Sequence, residues 1–100
     1  MNQERLERIF VVEANGRAIV AFEAVSHREA SELRDEEWFR EELAALRSEG
    51  KPVWDGLKRL LVRTASTTER TEFQIAKVSA TQNNEEGILL IYLIPLDGAK

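Results

Sequence analysis

The chain has 100 residues, 43% of them apolar and 32% charged, with no cysteine and a net charge of −4. That length makes one domain with its own core, and that balance belongs to folded rather than disordered chains. The lack of cysteine excludes disulfides, thiolate nucleophiles and cysteine-based metal sites, and basic residues interspersed with acids disfavour nucleic acid as a partner.

The first residues, Met1 to Arg8, mix both charge signs and contain no apolar stretch. No signal peptide or membrane anchor is expected, and the expected location is the cytoplasm. Ile9 to Ala14 and Arg17 to Glu23 then flank Asn15-Gly16, a dipeptide that takes the two positive φ values of a type I′ turn. Pairing Ala14 with Arg17 sets Val12 opposite Ile19 and Val11 opposite Val20. One face then carries Ile9, Val11, Val20 and Phe22, and the other Phe10, Val12, Ile19 and Ala21. Both faces are apolar, so either helices cover both sides or another chain covers one.

Ser26 and Glu29 have the S-x-x-E spacing of a capping box, and Val25 with Ala30 sit at the positions of a hydrophobic staple. Ala30 and Leu33 share a helix face, but Phe39, Leu43 and Leu46 fall near the opposite side of a continuous helix. A break is expected at Arg34-Asp35, with Asp35 capping a second helix that Gly50-Lys51-Pro52 stops. Asp55-Gly56 marks another turn. Leu57 to Thr64 alternates, with Leu60 and Val62 on one side and Arg59, Leu61 and Arg63 on the other, as suits a sheet edge.

Residues 67–81 carry two signals. Ser66-Thr67-Thr68-Glu69 is a second capping box and favours a helix with Phe73, Ala76 and Ala80 on its buried stripe. Against this, Thr71 to Ile75 alternates like a strand, and Ile75 and Val78 lie off the helical stripe. The helix is the preferred reading. Asn83 to Gly87 is polar loop, and Ile88 to Ile94, stopped by Pro95, is the longest apolar run. It reads as a central strand covered on both faces. The tail from Leu96 to Lys100 is expected to have low order.

The expected architecture is therefore α+β: a four-stranded mixed sheet with an N-terminal hairpin and two to three helices, in the order ββααβαβ. The hairpin, crossing helix and C-terminal central strand resemble the β-grasp arrangement in outline. That resemblance is topological and implies no activity.

Chemistry-bearing motifs are sparse. His27 is the single histidine, so no familiar metal set can form around it. The acids at 35, 36, 37, 41 and 42 lack the glycine-bearing loop spacing of a calcium site. The glycines at 16, 50, 56, 87 and 98 are isolated, which excludes a Walker loop and a dinucleotide fingerprint. No catalytic, metal or cofactor residue is nominated. Lys58-Arg59 with Arg63 is the nearest approach to a basic patch.

Surplus apolar surface points to a non-catalytic protein-interaction module or a homodimer. The candidate interface residues are Phe10, Val12, Ile19, Ala21, Trp38 and Trp54. For both tryptophans the rim of the core, with the indole N–H reaching water or a carbonyl, is the preferred reading. The alternative is a small-molecule binder or enzyme with a pocket between sheet and helices, to which Arg63, Tyr92 and His27 are the polar groups on offer. A polar-lined cavity of about 300 Å³ or more favours the pocket, and a flat apolar patch the interface.

Overall fold

A computed structural model of the chain describes residues 8–80 and 89–97. The elements are β1 (Arg8–Ala14), β2 (Arg17–Ala24), α1 (His27–Arg34), α2 (Glu37–Ala45), β3 (Arg47–Ser48), β4 (Lys51–Pro52), β5 (Leu60–Thr64), α3 (Thr67–Ala80) and β6 (Ile91–Tyr92). The main sheet has the order β5-β1-β2-β6, and β3 with β4 forms a separate two-stranded ribbon. The main sheet thus has the expected four strands, N-terminal hairpin and ββααβαβ order. Its ladders are all antiparallel rather than mixed. The β-grasp likeness ends there, because β6 lies beside β2 and not beside β1. Among the described residues no helix is long and apolar enough to cross a membrane.

The hairpin turns where the Asn15-Gly16 dipeptide directs it, with φ values of +58° and +77°. Its register departs from the simple one by a single residue. Ala14 faces Arg17 and Glu13 faces Ala18, but Val12 faces Val20, leaving Ile19 as an extra residue in β2. A bulge of this kind reverses the side-chain alternation beyond it. Ile19 and Val20 therefore both join the face of Phe10, Val12 and Phe22, while Ala21 crosses to the face of Ile9 and Val11. The expected face of Phe10, Val12, Ile19 and Ala21 is thus split between the two sides.

Helices cover both sides, which makes three layers. Ala30 and Leu33 of α1, with Phe39 and Leu43 of α2, pack on the Phe10–Phe22 face together with Trp54 and Leu60. Phe73 of α3 and Ala65 pack on the Ile9, Val11 and Ala21 face. Burying a side chain such as Phe22 or Phe39 stabilises the fold by roughly 1.5–3 kcal/mol.

Residues 67–80 are helical, and the Ser66 capping box is complete. The Glu69 amide donates to Ser66 Oγ at 3.2 Å, and the Ser66 amide donates to Glu69 Oε1 at 2.9 Å. The same Glu69 carboxylate takes a bidentate pair of bonds from Arg63, 2.8 Å each, and Arg63 Nε reaches Glu13 at 2.6 Å. The Arg63 guanidinium, helped by the Ser66 amide, outweighs burial and lowers the Glu69 carboxyl to about 2. Near its other end α3 is held by Lys77, whose Nζ lies 3.0 Å from the Glu23 carboxylate of β2. Ion pairs thus tie the helix to β5 near its start and to β2 near its end.

The apolar run near the C-terminus is corrected in position. Among the described residues it is not the centre of the sheet: Ile91 and Tyr92 pair at the edge beside β2, the Leu93 amide donates to the Ile19 carbonyl at 2.8 Å, and Ile88 lies outside the described residues. Leu90, Tyr92 and Ile94 do pack against one core and Leu89, Ile91 and Leu93 against the other, which is why the run is apolar throughout. The central strands are β1 and β2, where Val11, Val12, Val20, Ala21 and Phe22 are fully buried.

The helix break falls where the off-phase stripes require it, but its cap differs. Asp35 ends α1 and Glu36 precedes α2 without a side-chain capping bond. The Asp35 carboxylate is occupied by Arg34 instead, at 3.0 and 3.3 Å. Gly50 belongs to the turn of the β3–β4 ribbon rather than to a helix stop. Glu49 and Gly50 both have positive φ, and their amides donate to the Asp97 carboxylate.

Candidate anion-binding cleft

A cleft opens where the α1–α2 corner meets the loop between β4 and β5. Its helical wall follows from the break at Arg34-Asp35: Arg34 closes α1, and Arg40 stands in the first turns of α2. The loop wall is made rigid by short-range bonds. Asp55 Oδ1 accepts the Leu57 and Lys58 amides at 2.8 Å each, while Gly56 takes φ +83°. The Trp54 indole N–H donates to the Lys58 carbonyl at 2.7 Å, which closes the loop on itself. The Lys58 and Leu57 amides hold the Asp55 carboxyl below the usual carboxylate range.

Arg34, Asp35, Arg40, Trp54, Leu57, Lys58, Arg59 and Leu60 line a cleft of about 350 Å³. Four of these are cations and one is a carboxylate, in a chain whose net charge is −4. Arg34 is fixed by Asp35 and by a 3.3 Å bond to the Leu60 carbonyl. The Arg40 guanidinium lies 5.3 Å from the Trp54 ring centroid and 4.0 Å from Asp35. Stacked and paired guanidiniums lose less entropy on meeting an anion than free side chains do. Arg34 holds the Asp35 carboxyl below its usual range, with Arg40 adding to the effect, so this acid is an ionised anchor and not a proton donor near neutral pH. An adjoining cleft of about 470 Å³ shares Asp35, Arg40 and Trp54 but adds Glu37 and Glu41, so the cationic excess belongs to the first.

The residues expected at an interface are distributed differently. Phe10, Val12, Ile19 and Ala21 are core, at most 1% exposed, because α1, α2 and α3 cover both faces of the hairpin. Trp54 is 5% exposed and backs the cleft. Trp38 is 47% exposed, set edge-on to Phe39 at 5.9 Å.

The polar groups expected at a pocket do not converge. Arg63 ties β5 to α3. His27 Nε2 donates to the Val62 carbonyl at 3.2 Å and the ring packs edge-on against Phe10. Tyr92 meets Glu42 on α2 at 3.4 Å, and burial, reinforced by the Glu42 charge, pushes its hydroxyl up to about 12. None of the three lines the cationic cleft.

Sequence reasoning found Lys58 and Arg59 but grouped them with Arg63, which turns to the α3 side. It missed Arg34 and Arg40, whose one local signal is their position around the helix break. Comparison with protein-family models, with curated proteins and with solved structures returned no match.

Proposed function

We propose that the protein binds a small anionic ligand, a phosphate or carboxylate compound, in the cleft between the α1–α2 corner and the loop before β5. The observation that carries this reading is the gathering of Arg34, Arg40, Lys58 and Arg59 around one polar cavity of about 350 Å³. That volume lies within the range of small-ligand sites, about 300–1,000 Å³. The hairpin face that favoured a protein interface is consumed by the core. Binding is the reading the lining favours: its side chains supply cations and stacked apolar surface, and its one carboxylate is paired with Arg34.

The test is titration with inorganic phosphate, pyrophosphate and citrate, followed by Trp54 fluorescence and by the arginine Nε–H resonances. Saturable binding is expected, weakened at least about tenfold by Lys58→Glu with Arg59→Glu. Absence of saturation up to about 10 mM, where affinities fall below useful strength, would remove the reading.

A second reading, a protein contact, is supported by a different surface. Ile75 and Val78 project from the outer side of α3, 66% and 70% exposed, at the i,i+3 spacing that joins them into one patch. Exposed apolar pairs of this kind favour burial against a partner. Concentration-dependent sedimentation that Ile75→Lys abolishes would support self-association there.

A further inference from the structure

The charge of the cleft can be counted. Four cations against the single carboxylate of Asp35 leave three positive charges around one cavity of about 350 Å³. A ligand with one negative charge leaves most of that excess unmatched, and its attraction to fixed charges doubles when it carries two. The cations also stand on three separate pieces of chain: Arg34 at the end of α1, Arg40 in α2, and Lys58 with Arg59 in the loop before β5. A carboxylate presents its two acceptor oxygens in one plane, whereas a phosphate monoester spreads three acceptor oxygens tetrahedrally about one centre.

The side chains of the lining are rich in donors and poor in free acceptors. Arginine and lysine have no acceptor atom. Both oxygens of Asp35 already hold Arg34, through Nε at 3.0 Å and Nη2 at 3.3 Å. The Lys58 carbonyl holds the Trp54 indole N–H, and the Leu60 carbonyl holds Arg34 Nη1. Asp55 on the loop wall is spent in the same way on the Leu57 and Lys58 amides. A ligand that keeps a proton on its oxyanion, or that carries an ammonium group, brings a donor that must share an acceptor already in use. Full ionisation removes that demand.

We propose that the anion this cleft selects is the dianionic phosphate of a small, free monoester. The inference rests on the anion-cleft reading and names its ligand. Its pH signature belongs to the ligand and not to the protein. Arg34 and Arg40 hold the Asp35 carboxyl below its usual range, and the Lys58 and Leu57 amides do the same for Asp55, so both acids stay ionised at about pH 5. Glu37 and Glu41 of α2 line the adjoining cleft. Histidine is the side chain that ordinarily changes charge between about pH 5 and 8, and His27 is turned to the Val62 carbonyl. The second ionisation of a phosphate monoester lies near about pH 6.

The experiment titrates methyl phosphate, methyl sulfate and malonate into the parent chain at about pH 7.5, and the first two again at about pH 5, following the Trp54 indole and arginine Nε–H resonances. Methyl sulfate has the same shape but a single charge at both pH values, and malonate carries two charges on planar groups. Methyl phosphate is expected to bind at least about tenfold more tightly than either at about pH 7.5. At about pH 5 roughly one molecule in ten is still a dianion, so its advantage over methyl sulfate should fall about tenfold. The Lys58→Glu, Arg59→Glu double variant, verified as folded by circular dichroism, should lose the advantage. Methyl phosphate binding no tighter than methyl sulfate or malonate overturns the proposal, as does an advantage that is unchanged in acid or survives in the double variant. A phosphoserine peptide that binds at least about tenfold more tightly than methyl phosphate overturns the assignment to a free small molecule. If phosphate, pyrophosphate and citrate saturate the cleft but methyl phosphate has no advantage, the anion-cleft reading stands and this one falls; if none saturates, both fall.

Discussion

Replacing Glu69 with glutamine isolates the charge that ties α3 to the sheet. Glutamine keeps the acceptor for the Ser66 amide, since either residue completes a capping box, but it removes the anion facing Arg63. Lowering a carboxyl from 4.5 to about 2 corresponds to roughly 3 kcal/mol of preference for the charged form in the folded chain. The Glu69 side chain is 17% exposed but its guanidinium partner is 36% exposed. Solvent screening on that side brings the expected loss at pH 7 to about 1–2 kcal/mol. The folded carboxyl titrates below the unfolded one. The stabilisation is therefore complete above about pH 4.5 and is lost as the pH falls through about 2. Urea denaturation of the parent and the Glu69→Gln chain at a series of pH values reads both quantities. The gap in stability should narrow as the pH drops from 4.5 toward 2. Equal stability at pH 7, or a gap that does not change with acid, would refute the assignment of this network as an anchor of α3.

Two further substitutions test the hairpin. Gly16 has φ +77° with nothing near the position of a Cβ, so Gly16→Val should destabilise through backbone conformation alone, by about 1–3 kcal/mol; an unchanged melting temperature would contradict the turn. Val12 has no exposure and packs in the Phe10–Phe22 cluster, so Val12→Lys should unfold the chain by placing an unpaired charge in the core. A folded Val12→Lys chain with altered association would instead return that face to an interface role.

Several features were legible in local sequence because their causes are local. Asn15-Gly16 placed the first turn, the Ser26 and Ser66 capping patterns placed the starts of α1 and α3, and the off-phase stripes of Leu33 and Phe39 placed the break between α1 and α2. Alternation in Leu57 to Thr64 marked an edge strand; the strand is shorter, Leu60–Thr64, and lies at the edge of the sheet among the described residues. Ile75 and Val78, which lie off the buried stripe of α3, are on its solvent side for that same reason.

Other features depended on contacts between distant segments. The bulge at Ile19 shifted one residue of register, and a period of two then reversed the faces that simple pairing assigns to Val20, Ala21 and Phe22. The run from Leu89 to Ile94 is apolar because it touches both cores, yet composition alone cannot distinguish a strand with two neighbours from one with a single neighbour, and it lies at the edge. The cationic cleft is the clearest case. Arg34 and Arg40 belong to helices and Lys58 and Arg59 to a loop, each with acids nearby in sequence. Their like charges meet only when the α1–α2 corner packs against the loop before β5, a proximity set by the shared core of Leu33, Phe39, Trp54 and Leu60 and written in no single stretch of the chain.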